Sequence, residues 1–192
     1  MHKELSGVWI MAYTTIDDPS KYFQTAIYSG TGSTRNITND GNSDLQPDFA
    51  WIKSRDTTSN HNLFDSSRGV TKRVLSNGTD VEDTLTAFSH FLSDGFTITG
   101  SPLNDSGSTW VAWQWKCNGG TRTTYSESGD NPAGGYQANT TAGFSIVDWT
   151  GTGGAGGTAA HGLGAVPHTI ITKTRSHANA WAVYHHKNTD AP

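Results

Sequence analysis

Two stretches of the chain, PDFAWIKSR (Pro47 to Arg55) and PHTIITKTR (Pro167 to Arg175), share one spacing of proline, lysine and arginine at a distance of 120 residues. At that offset Pro47 meets Pro167, Ile52 meets Thr172, Lys53 meets Lys173 and Arg55 meets Arg175, and further on Leu63 meets Val183 and Phe64 meets Tyr184. With one residue of slippage, FQTAIYSGTGS (Phe23 to Ser33) meets FSIVDWTGTGG (Phe144 to Gly154), so that Phe23, Ile27, Tyr28, Gly30 and Gly32 have counterparts. Two blocks repeated in the same order imply a duplicated folding module, and any architecture must use the same strands twice.

Each unit reads as short strands. FQTAIY alternates until Ser-Gly-Thr-Gly breaks it, FAWIKSR follows Pro47 as a second strand, and NLFDS is a third. The Thr-Gly pairs supply turns that need positive φ. The first unit continues through TKRVLSN, TLTAFSHF, GFTITG and TWVAWQWK, and the only helical stretch the pattern allows is a turn or two around Asp80 to Phe88. Composition agrees: 22 Gly and 16% charged residues favour short elements and frequent turns, and 7 Trp, 7 Phe and 6 Tyr can fill a core. The fold expected is all-β, an antiparallel β-sandwich, with Trp51, Phe96, Trp113 and Trp115 in or near its core. Alternation sends Trp113 and Trp115 to one face and Trp110 to the other.

The expected organisation is an N-terminal extension over 1–19, a complete β module over 20–117, a polar connector over 118–142, and the beginning of a second, homologous module over 143–192. The run GVWIMAY is too short for a membrane span, and Met11 reads as a second natural start. The second unit stops before its later strands, so its early strands await partners, from a neighbouring chain or from sequence beyond Pro192.

Charge and composition exclude several functions. A net charge of −4 with scattered Lys and Arg lacks the footprint of a duplex-binding protein. Cys117, the lone cysteine, reads as an inert thiol. The three glutamates, Glu4, Glu82 and Glu127, include no pair at strand spacing for glycoside hydrolysis. No G-x-S-x-G elbow occurs, and the run Gly151 to Gly157 lacks the Lys-Ser or Lys-Thr of a phosphate loop. His61, His161, His168, His177, His185 and His186 lack zinc-site spacing. His61 with Asp65 is the best improvised catalytic pair, but their counterparts are Trp181 and His185. The expectation is therefore no catalytic site and no required cofactor. Asp40, Asn42 and Asp44 place oxygens at alternate positions, as calcium ligands are placed, but Leu45 and Trp51 stand where such a loop needs Gly and Glu; an Asx-rich turn is the competing reading.

Lys53 and Arg55 share the face opposite Ile52, which suits solvent exposure. An ion pair from Arg55 or Arg68 to Asp65 is the alternative. Because Arg55 recurs as Arg175 while Asp65 becomes His185, a solvent-facing or capping Arg is favoured.

The run YFQTAIYSGTGSTRNITNDGNSDLQPDFAWIKSR, then NHNLFDSSRGVTKRVLSN, FLSDGFTITG, STWVAWQWKCNGGT and ANTTAGFSIVDWTGTGGAGGTAAHGLGAVPHTIITKTR resemble a family of tandem-repeat virion proteins of marine tailed bacteriophages. The resemblance runs from about Met11 to the end. It implies a concanavalin-like sandwich of jelly-roll type and a noncatalytic tail or tail-fibre protein located in the virion. The partners expected are other virion proteins and further copies of the chain, with a host-surface glycan as a further candidate for exposed aromatics, and the short apolar run predicts no membrane insertion. A carbohydrate-binding module is the competing class.

Overall fold

The computed structural model of the chain describes residues 16–188. The run GVWIMAY and most of the expected 1–19 extension lie outside them, as do the last four residues. Fourteen strands follow in chain order: β1 (Phe23–Ser29), β2 (Arg35–Ile37), β3 (Phe49–Ser54), β4 (Asn62–Asp65), β5 (Lys72–Leu75), β6 (Asp83–Thr84), β7 (Phe88–Phe91), β8 (Phe96–Ile98), β9 (Thr109–Trp115), β10 (Thr123–Tyr125), β11 (Gly134–Asn139), β12 (Phe144–Trp149), β13 (Thr169–Thr172) and β14 (Ala182–His185). The only helical element among the described residues is a single 3-10 turn, Pro19–Lys21. The Asp80–Phe88 stretch holds β6 and a turn instead. Among the described residues no helix is long and apolar enough to cross a membrane.

The first module is an antiparallel β-sandwich. Six strands in the order β1-β9-β3-β4-β5-β6 form one sheet, and β2-β8-β7 form the other. Between them lies a core drawn from both sheets, in which Phe64 of β4 stacks on Phe88 of β7 at 4.5 Å and Tyr28 of β1 meets Phe96 of β8 edge-on at 6.3 Å. Small residues make room for these rings. Ala26, Ala50 and Ala112 all point inward from the larger sheet, and Ala112 pairs with both Ala26 and Ile52.

The alternation along TWVAWQW holds, but the buried face is the one carrying Trp110. Trp110, Ala112 and Gln114 point inward, while Trp113 and Trp115 are half-buried on the outer face. Trp51 likewise points outward, because β3 turns Ala50, Ile52 and Ser54 inward. Of the four aromatics expected in the core, only Phe96 is fully buried. The volume beneath the sheet is already filled by phenylalanines of β4, β7 and β8, leaving space for one indole per strand. Trp110 takes it, stacked on Tyr28.

Beyond β9 the chain continues in strands. The segment 118–142, read from sequence as a polar connector, contains β10 and β11, and these join β12 in a three-stranded sheet. β13 and β14 form a separate hairpin.

That hairpin copies β3–β4 residue for residue. Ala50↔Phe64 and Trp51↔Leu63 in the first unit become Ile170↔Tyr184 and Ile171↔Val183 in the second, the same register at an offset of 120. The backbone bond from Ser66 N to the Asp48 carbonyl recurs as His186 N to the His168 carbonyl. The repeated lysine has a specific task. Lys53 Nζ donates to the carbonyls of Ser54 and Thr57, at 2.5 and 2.8 Å, and Lys173 Nζ donates to those of Thr174 and His177, at 2.9 and 3.3 Å. Each lysine thus closes the loop that follows its own strand. Arg55 is exposed, and it is Arg68 that pairs with Asp65.

Two corresponding glycines separate fold requirements from inheritance. A Cβ on Gly30 would strike the carbonyl oxygen of Asp105, in the loop leading into β9, whereas a Cβ on its counterpart Gly151 would meet nothing within 4 Å. Gly30→Ala is therefore expected to cost about 3 kcal/mol, and Gly151→Ala to stay within about 1 kcal/mol of the parent. Urea titrations of the two variants measure both.

Candidate functional site

Because β9 turns Trp113 and Trp115 outward, the outer face of the six-stranded sheet carries two aromatic rows. Phe23 of β1, Trp115 of β9 and Phe49 of β3 lie side by side in the ladder, and Trp113 and Trp51 form the next row. Phe23 and Phe49 sit 4.9 and 5.4 Å from Trp115. Phe144, at the start of β12, stacks on Trp115 at 5.9 Å and so lays one end of the second unit over the first row. Between them opens a cleft of about 450 Å³ lined by Tyr22, Phe23, Trp115 and Phe144, with Ile16 and Pro19 at one side. Aromatic faces in such a cleft can stack on the apolar face of a ring.

The second row is fixed by a hydrogen bond. Trp51 Nε1 donates to His61 Nδ1 at 3.1 Å, and Trp113 packs edge-on against Trp51 at 5.9 Å. Accepting at Nδ1 places the proton of neutral His61 on Nε2. Partial burial, reinforced by the Lys53 ammonium, lowers the His61 pKa.

His61 and Asp65 are not brought together as a catalytic pair. His61 serves Trp51, and Asp65 is held by Arg68, whose Nε donates to it at 2.5 Å. Asp40, Asn42 and Asp44 are all exposed. Their loop is anchored by other groups: Gly41 N donates to Gln24 Oε1, Ser43 Oγ to Asp18, and Leu45 N to Asp94. Among the described residues no three His, Cys, Asp or Glu side chains converge as a metal site. Cys117 is buried, and burial together with the neighbouring Asp48 carboxylate pushes its thiol pKa well up, so the thiolate is suppressed.

Sequence reading missed two clusters. Asp48, fully buried, accepts from Ser66 Oγ at 2.8 Å and from the amides of Cys117, Gly119 and Gly120 at 2.8, 2.9 and 2.7 Å. Gln137 of β11 extends this cluster, accepting from Gly120 N and donating to Ser66 and Ser67. Glu82 receives Arg68 from its own module and both Nε and NH2 of Arg175, each at 2.8 Å, from the second unit. The one available signal was the scarcity of Glu in the chain.

The Trp51–His61 bond gives a pH test. The fold disfavours imidazolium, so the stability this group contributes is complete above its ordinary value near 6.5 and is lost as pH falls through the lowered folded value. The Trp51 indole N–H resonance should move upfield as pH drops from about 7.5 to about 5, with the midpoint below that of a free histidine. An unmoved resonance, or the same titration in His61→Phe, would contradict the assignment.

No curated protein and no solved structure matches the chain. A family model does, described as a domain of unknown function, DUF7483, and the match runs over residues 18–191, through both repeated units. The chain therefore belongs to the DUF7483 family.

Proposed function

We propose that the chain is a noncatalytic structural protein of a tailed-phage virion, part of the tail or its fibres, in which β modules are joined in series. The observation that carries this reading is the way the second unit seats on the first. Arg175 bonds Glu82 through its guanidinium while its carbonyl accepts from Glu82 N, and Trp181 Nε1 donates to the Leu75 carbonyl at 2.9 Å. A direct polar joint between duplicated modules suits a serial array of modules better than an enzyme, whose chemistry needs convergent groups shielded from water. Other virion proteins and further copies of the chain are the partners proposed. Mass spectrometry of purified particles from the genome encoding the chain is expected to find it as a stoichiometric component. Expression in infected cells with absence from the particles would rule the reading out.

A second reading, a glycan-binding module contacting the host surface, is favoured by the outward Trp113, Trp51 and Trp115. On an array of bacterial surface polysaccharides read well below the melting temperature of the variant, Trp113→Ala should weaken binding about tenfold. A signal insensitive to this change would remove the aromatic face from consideration. Polysaccharide turnover abolished by His61→Ala or Asp65→Ala would instead establish catalysis.

A further inference from the structure

In the first module the β3–β4 hairpin is enclosed on three sides: β9 pairs along the other edge of β3, β5 along the other edge of β4, and the second sheet covers the inner face. The β13–β14 hairpin has the same internal register, yet among the described residues β13 pairs only with β14. The positions that would face a core are open. Ile170 and Tyr184 are 44% and 47% exposed where their counterparts Ala50 and Phe64 are 0%, and Trp149 is 46% exposed where Tyr28 is 7%. β12, the counterpart of β1, ends its sheet with one edge unpaired.

A second, independent observation points to what is wanted there. Gly30 must be glycine because the loop leading into β9 crosses it at Asp105. Gly151 occupies the same place in the second unit with nothing near it. Gly153 repeats the positive φ of Gly32, 80° against 76°, so the turn keeps its left-handed glycine. The second unit thus retains the backbone clearance for a β9-type approach. Tyr28 donates to the carbonyl of Leu103 in that same loop, and Trp149 stands in its place exposed.

We propose that the edge of β13 opposite β14 is a docking site for one antiparallel strand of the β9 type, a polypeptide segment rich in aromatic residues that turns a large, a small and an amide side chain inward in succession, as Trp110, Ala112 and Gln114 do in Thr109–Trp115. Main-chain bonds along β13 supply affinity, and the open apolar face supplies side-chain selectivity. If pairing copies β9 on β3, the residue opposite Ile170 takes the place of Gln114 and the one opposite Thr172 takes the place of Ala112. Because Ile170 is larger than Ala50, a smaller residue than Gln is preferred at the first of these positions. The proposal is independent of the virion reading, since strand addition at this edge would hold in any biological setting.

The test uses the whole chain and a synthetic peptide, STWVAWQWK, with lysines added at its ends for solubility. Amide exchange should slow about tenfold at the β13 amides that face away from β14, saturably. The same peptide with Pro in place of Trp113 should have no effect, because in β9 the odd-numbered residues turn their amides toward β3 and the proline removes one of those donors. Ile170→Lys and Tyr184→Lys alter exposed positions, so they should leave Tm unchanged and abolish the protection. Three results would overturn the proposal: no protection by the peptide, protection in the monomeric chain without it, or concentration-dependent self-association that closes the edge. The last would assign the edge to a second copy.

Discussion

The carboxylate of Asp48 gathers three segments of the first module, and the one that leads out of it, at a single point. It sits at the entrance to β3, fully buried, and receives one hydroxyl and three backbone amides. Burying a charge is costly unless its lone pairs are filled, and here four donors fill them. Gly119 and Gly120 make this possible, because both adopt positive φ, at 63° and 83°, and so turn their amides toward one point. The exit from β9, the exit from β4 and the entrance to β3 are fastened at one spot. Through Gln137 the next sheet is fastened to it as well.

From that anchor the rest follows in order. With the CNGG segment held, β9 lies between β1 and β3, and its alternation decides which indoles enter the core. The interior accepts Trp110 and rejects Trp113 and Trp115, which produces the aromatic outer face. Phe144 then uses that face as a platform, while Glu82 and Leu75 receive Arg175 and Trp181 at another part of the first module.

Much of this was legible in the amino-acid sequence, and the gaps have physical causes. The repeat predicted the β3–β4 and β13–β14 correspondence because register follows from period-2 patterning and equal loop length. The buried side of β9 was not legible. Alternation separates two faces without saying which is covered, and three tryptophans on one strand leave both choices hydrophobic. β10 and β11 escaped notice because Thr, Gly and Asn dominate them, and their pairing comes from neighbours, not propensity. The role of Asp48 was hidden because its donors are mostly main-chain amides nearly 70 residues away, which no side-chain pattern reveals. Asp40, Asn42 and Asp44 stood out by spacing alone, whereas the side chains that organise their loop, Asp18, Gln24 and Asp94, are scattered in sequence.

The two units agree in their hairpins and differ at their anchors. Where the first has Asp48 bonded to Ser66, the second has His168 stacked on His186 at 4.0 Å. An imidazole offers one lone pair at most and cannot gather three amides and a hydroxyl as a carboxylate does. The first unit can therefore clasp the polypeptide that leaves it, and the second has no carboxylate at that position while it has the hairpin that meets its predecessor. Such a pair has polarity: its leading and trailing ends are chemically distinct, and exchanging the units would leave the chain with the hairpin and no clasp to order the passage between them.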